Sequence, residues 1–295
     1  MWIKYYQKET PNSNVRLNPL IIDARYNLDK FSINAVDAAI DAVNKIVENY
    51  PPPYTLLVSG GIDSQCMVLA WKFSKHPFKI VHYSYGDQSI SEDINTLKIF
   101  CKKHALQYEC RNFDALSFIQ SNDLIQYAIK YDCSSPQILS YIKFTEQHNE
   151  TVLLSGNFIN GKHCGLNYTI LALDRFSKIK TNVIPFFLLS TPKLAYAFYN
   201  NDNIANTYQI NQNNNFDNYK SKCLAYKLSG FDIVEQDKKY TGFEQVKNYF
   251  DSHEVLDSLR LKYSNFDSKR PFDFKFRYSL YDIIGPYSEL TELIL

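Results

Sequence analysis

The strongest constraint on this chain is a short, uninterrupted apolar run, Tyr54-Thr55-Leu56-Leu57-Val58, which breaks into Ser59-Gly60-Gly61-Ile62-Asp63-Ser64. Pro51-Pro52-Pro53 isolates the run from the amphipathic segment 34–49, where Val36, Ile40, Val43 and Val47 recur at helical spacing. A run with no polar alternation is a strand buried on both faces, as in parallel sheets. Two glycines then permit a sharp turn, and Gln65 to Ser74 continues as a helix with Met67, Val68, Leu69 and Trp71.

The same strand–helix alternation continues beyond the turn. A second strand is read at 78–85, a helix at 91–104 opened by Ser91-Glu92-Asp93, and a third strand at 106–111. One or two helices fill 113–149, with Ser134-Ser135-Pro136 opening the last. Thr151-Val152-Leu153-Leu154 is a fourth strand, ending in the small-residue turn Ser155-Gly156-Asn157. This order predicts an α/β fold, a doubly wound parallel sheet with helices on both faces and a more helical C-terminal part. Three regions are expected: an N-terminal strand and helix extension over 1–50, the sheet-bearing domain over 51–190, and a mainly helical region over 191–295. Within them, 1–33 supplies one or two edge strands, helices are expected at 185–189, 192–200, 219–228 and 243–250, and 272–284 reads as a half-buried strand.

In doubly wound sheets, ligands bind beyond the carboxyl ends of the strands, where both small-residue turns lie. At the first turn, glycine N–H groups can approach an anion, Ser59 and Ser64 add hydroxyls, and the helix N-terminus adds its dipole. The assembly suits a pyrophosphate group. Asp63 would repel bare phosphate, so its role is either to place a magnesium ion or to order the loop. No Gly-x-x-x-x-Gly-Lys-[Ser/Thr] and no Gly-x-Gly-x-x-Gly occurs, so neither a Walker-type loop nor a dinucleotide fingerprint is present.

Ser59-Gly60-Gly61-Ile62-Asp63-Ser64 resembles the Ser-Gly-Gly-x-Asp-Ser signature of the PP-loop (N-type ATP pyrophosphatase) superfamily, with its HUP-type sheet. The resemblance implies ATP and Mg2+ as cofactors and cleavage of ATP to AMP and pyrophosphate. A substrate oxygen would be activated on the α-phosphate and then attacked by an amine or ammonia. It further implies that a lysine of the C-terminal part neutralises the phosphates. Lys222 and Lys227 are the candidates, with Lys239 a further phosphate contact and Tyr83 and Tyr85 a candidate wall for the adenine. Ser155-Gly156-Asn157 resembles the second turn of the asparagine synthetase synthase domain, although Phe158-Ile159-Asn160 replaces the acidic pair expected there. Any single lysine is more often solvated surface than catalyst, and a tyrosine pair is equally at home in a core. His163-Cys164 reads as an ordinary loop.

Composition trims the alternatives. The 32 basic and 31 acidic side chains leave a net charge of +1, without the basic excess of a nucleic-acid grip. No apolar run is long enough for a membrane span, and the start lacks a signal-peptide pattern, so a cytoplasmic protein is expected, in the host cytoplasm if viral. The six cysteines form no Cys-x-x-Cys, which disfavours zinc and the paired motifs of iron–sulfur thiolases. Trp2 stands where a glutaminase would carry its nucleophile, so nitrogen is expected from free ammonia, an amine or a separate subunit. The overall pattern resembles asparagine synthetase-like proteins of phage genomes. The expected substrate is a small acid or nucleotide, and a homodimer is left open. The alternatives are a tRNA- or nucleotide-modifying PP-loop enzyme, a phosphoadenylylsulfate reductase-like protein, and a non-catalytic ATP or AMP sensor.

Overall fold

The computed structural model describes residues 3–5, 20–22, 34–85, 92–131, 136–156, 176, 179, 182–198 and 218–236. Strands β1 (Ile3–Tyr5) and β2 (Leu20–Ile22) pair antiparallel with each other. Helix α1 (Ala35–Asn49) begins at Asn34, whose side chain accepts from the Val36 amide at 2.8 Å. It buries Ala35, Ala38, Ala39, Ala42, Val43 and Ile46, a stripe at three- and four-residue spacing. Although the sequence assigns it to an extension, this stripe is part of the main core.

Next come β3 (Tyr54–Leu57), α2 (Ile62–Ser74), β4 (Lys79–Ser84), α3 (Glu92–Lys103) and β5 (Glu109–Asn112). Three short helices follow, α4 (Ala115–Gln120), α5 (Asn122–Tyr131) and α6 (Pro136–Glu146), where the sequence suggested one or two. Strands β6 (Thr151–Leu154) and β7 (Val183–Ile184), a 3-10 turn at Phe187–Leu189, and helices α7 (Pro192–Ala197) and α8 (Asn218–Leu228) complete the described elements. The segments 243–250 and 272–284 lie outside the described residues.

The five central strands run parallel in the order β5-β4-β3-β6-β7. The chain winds outward from β3 through β4 to β5, then returns to the other side of β3 at β6. That reversal makes the β3–β6 junction the switch point of a doubly wound sheet. Side chains alternate across it. Tyr54, Leu56, Ile80, Leu153 and Ile184 enter a core with α1, α2, α3 and α8, whereas Leu57, Val81, Tyr83 and Val152 enter a second core with α4, α5 and α6.

Two differences from the sequence reading have local causes. The third strand starts at Glu109 because Ala105 turns with φ +52° and the Leu106 amide bonds back to the Cys101 carbonyl at 2.9 Å, closing α3. Strand β7, only two residues long, carries too little pattern for alternation to reveal it.

Candidate functional site

Val58 closes β3 with its amide on the Val81 carbonyl at 2.9 Å, while its own carbonyl meets His82 Nδ1 at 2.8 Å. A carbonyl can only accept, so His82 carries its proton on Nδ1; burial lowers its pKa and keeps it neutral. Ser59 is exposed beyond this anchor, and Gly60 is buried with φ +93°. A Cβ on Gly60 would lie 2.1 Å from the Asp93 carbonyl oxygen, so the loop presses against the first turn of α3. Glycine is required there for conformation and for space.

Gly61 occupies the N-cap position of α2 and supplies no side-chain cap, in contrast to Asn34 on α1 and Asp114 on α4. The first-turn N–H groups of α2 are therefore left to other partners. Ser64 Oγ donates to the Gly61 carbonyl at 2.7 Å, and the Gly61 amide donates to Ser59 Oγ at 3.3 Å. Ile62 is turned into the core, so it offers the site backbone alone.

Asp63, on the first turn of α2, meets α8. Lys222 Nζ lies 2.6 Å from Asp63 Oδ1 and donates to Oδ2 at 2.7 Å, and the Tyr226 hydroxyl donates to Oδ1 at 2.5 Å. Lys222 and Tyr226 are four residues apart and share a helix face. The Lys222 and Asp63 side chains are 13% and 20% exposed, so the pair is shielded without being sealed. Cys66, one turn further along α2, is fully buried, and desolvation with the nearby Asp63 charge pushes its thiol well above the usual range. Lys227 points elsewhere, pairing with Glu235 at the surface, which raises its pKa.

Two glutamines hold the segment Phe231–Gln236, Gln65 against the loop and Gln236 against α3. Gln65 is fully buried; its Nε2 donates to the Gly60 carbonyl at 2.8 Å and the Val234 carbonyl at 3.0 Å, and its Oε1 accepts from the Val234 amide at 2.7 Å. Gln236 donates to Asp93 Oδ1 at 2.6 Å, and its amide donates to the Tyr219 hydroxyl at 2.7 Å. The sequence reading passed over Gln65, Tyr226 and this segment. One signal was available: Gln65 is a lone neutral polar residue entering the apolar run Cys66-Met67-Val68-Leu69-Ala70-Trp71.

The remaining described candidates make other contacts, on or just after the strands that flank β3. Gly156 has φ +66°, and a Cβ there would meet Phe186 Cδ1 at 2.3 Å; the Ser155 carbonyl accepts from the Leu188 amide at 3.0 Å. This second turn is thus packed against the segment after β7. Tyr83 stacks on Phe144 at 4.3 Å with its hydroxyl on Gln147 and His148, at 3.1 and 3.0 Å. Tyr85 packs at the margin of the same core, edge-on to Phe113 at 6.5 Å. Asn157, Lys239 and His163-Cys164 lie outside the described residues.

Among the described residues, no group of three or more His, Cys, Asp or Glu side chains gathers as a metal centre. At the loop itself, both Asp63 oxygens are held by Lys222 and Tyr226, and the Asp93 carboxylate takes Gln236. This donor set does not fit a magnesium ion bound by protein alone. No described helix is long and apolar enough to cross a membrane.

No family model matches the chain, and no curated protein matches it. Among solved structures the chain is similar to the U34-tRNA thiolase NcsA from Methanococcus maripaludis, described with its [4Fe-4S] cluster. That likeness has 14% sequence identity and a TM-score of 0.35, covering 88% of this chain and 79% of the other. A likeness so distant says nothing of activity.

Proposed function

We propose that this chain is an ATP-using enzyme of the PP-loop type that splits ATP into AMP and pyrophosphate. The observation that carries the reading is the Lys222–Asp63 pair on the first turn of an uncapped, glycine-led helix at the switch point of the sheet. Uncapped N–H groups and a helix dipole favour a bound anion. The ammonium of Lys222 adds a cation at the same helix end, held by Asp63, whose carboxylate Tyr226 steadies in turn.

In this reading an oxygen of a small acid or nucleotide attacks the α-phosphorus, and the bond from that phosphorus to the β-bridging oxygen breaks. The electron pair leaves with pyrophosphate, whose growing charge Lys222 and the loop N–H groups stabilise. An amine or ammonia nitrogen then attacks the activated carbon and expels AMP, giving an amide or amidine. Magnesium would enter bound to the triphosphate and would add to the neutralisation of its charge.

The test is Asp63→Asn, which keeps the shape and removes the charge that holds Lys222. We expect turnover to fall by about 10²–10³, as when one preorganised electrostatic contact to a transition state is lost. ATP affinity should change far less. A nucleotide sensor would instead show altered affinity with no turnover in either protein, and that outcome rejects the enzyme reading.

A further inference from the structure

The carboxamide of Gln65 makes three hydrogen bonds: one to Gly60 and two to Val234. The bond to Gly60 has a consequence on the opposite side of the same peptide. A trans peptide is planar, with its C=O and N–H pointing in opposite directions. Gln65 draws the Gly60 carbonyl inward, so the N–H of Gly61 must face outward, towards exposed Ser59, whose Oγ it meets at 3.3 Å. A Gly-Gly peptide is the kind most readily flipped, because neither residue has a Cβ to resist it. Flipped, it would present a carbonyl oxygen to an anion in place of a donor.

The other two bonds give Gln65 its orientation. They pair the carboxamide with both backbone groups of Val234, as a neighbouring strand would. Val234 is held in turn by the burial of Phe231 and Ile233, by the Lys103–Asp232 pair at 2.5 Å, and by Gln236 on Asp93. Asp93 is the residue whose carbonyl presses on Gly60. The segment therefore grips the loop from two directions.

We propose that Gln65 is a positioning residue that locks the Gly60–Gly61 peptide with its N–H outward. Docking of Phe231–Gln236, 169 residues along the chain from Gln65 to Val234, completes that lock. The inference rests on the phosphate-binding reading of the loop and names what makes the loop competent to bind.

The test is Gln65→Glu in the full chain, with inorganic pyrophosphate as probe, measured by calorimetry from pH 6 to 8.5 beside the wild type. An ionised Glu cannot donate to the Gly60 carbonyl and repels it. A protonated Glu can donate there while still accepting from Val234, and burial raises its pKa towards this range. We expect the variant to bind roughly ten-fold more weakly than wild type at pH 8.5, the loss of about one hydrogen bond. The gap should close as pH falls. A ratio that does not vary with pH, in folded protein, overturns the lock and leaves Gln65 as glue for the segment. Wild type that fails to bind pyrophosphate overturns the phosphate-binding reading instead.

A second measurement does not depend on the Gln65 variant. With 15N-glycine labelling, the nine glycines give a sparse spectrum in which the Gly61 signal is assigned by its loss in Gly61→Ala. Pyrophosphate should shift the Gly61 amide downfield and slow its exchange. Binding that leaves the Gly61 amide unmoved overturns the proposal.

Discussion

At the residue scale, the two glycines of the loop are not equivalent. Gly60 combines φ +93° with a Cβ position 2.1 Å from a backbone oxygen, whereas a Cβ on Gly61 would meet Ser59 Oγ at an ordinary 3.4 Å. Gly60→Ala should therefore cost about 1–3 kcal/mol of backbone strain, with overlap against α3 added. Gly61→Ala should stay within about 1 kcal/mol of wild type. Urea unfolding of the two variants decides it, and equal midpoints would show that the loop does not press on Asp93. The pair of glycines was legible from the sequence, because a strand–turn–helix junction demands them. Their division of labour was not, since it depends on Asp93, which reaches the loop only through the fold. Of the two catalytic lysine candidates, Lys222 meets Asp63 and Lys227 meets Glu235. Helical spacing alone could not separate them, because the choice turns on which face of α8 meets α2.

At the element scale, the alternation of apolar strands and helices from 54 to 154 made the parallel sheet readable, with boundaries off by a few residues. The segment Phe231–Gln236 was invisible for a physical reason. It has no period of its own, and it is held by side chains far away in the sequence, at Gln65, Asp93 and Lys103. Its anchor is Phe231, 1% exposed, whose ring lies 6.2 Å from Phe73, 5.9 Å from Phe198 and 6.3 Å from Tyr226. That one ring joins α2, α8 and the residue after α7. Phe231→Ala should cost about 3–5 kcal/mol, as large-to-small core changes do. It should also raise hydrogen exchange in both 218–236 and 59–65, leaving β4 and β5 protected. Faster exchange confined to 231–236 would show that the segment is packed on the loop without controlling it.

At the scale of the whole molecule, stability should fall on the acid side in two stages. Burial lowers the pKa of His82, and it lowers that of His148 against the opposing pull of Glu150. A base with a depressed folded pKa gains protons on unfolding, so its contribution is full above about pH 6.5 and fades as pH falls through that value. Burial pushes the Glu150 carboxyl up, but bonds from Lys79, Thr55 and His148 outweigh it and hold it well below the usual range. That contribution is present above about pH 4.3 and is lost only as pH falls towards the lowered folded value. The melting temperature should therefore drop between pH 6.5 and 5 and again below 4. Replacing both histidines by Gln should flatten the first drop, and it should also weaken the second in part, because His148 is one of the groups that bond Glu150. An unchanged first drop in that double variant would assign it to other groups. Both cores and the switch point follow from how strands and helices alternate along the chain. The most direct measurement is of purified protein with Mg-ATP and pooled small acids, nucleosides and amines, resolving the nucleotide products. Substrate-dependent AMP and pyrophosphate, lost in Asp63→Asn, is the result the account predicts; ADP and phosphate would contradict it.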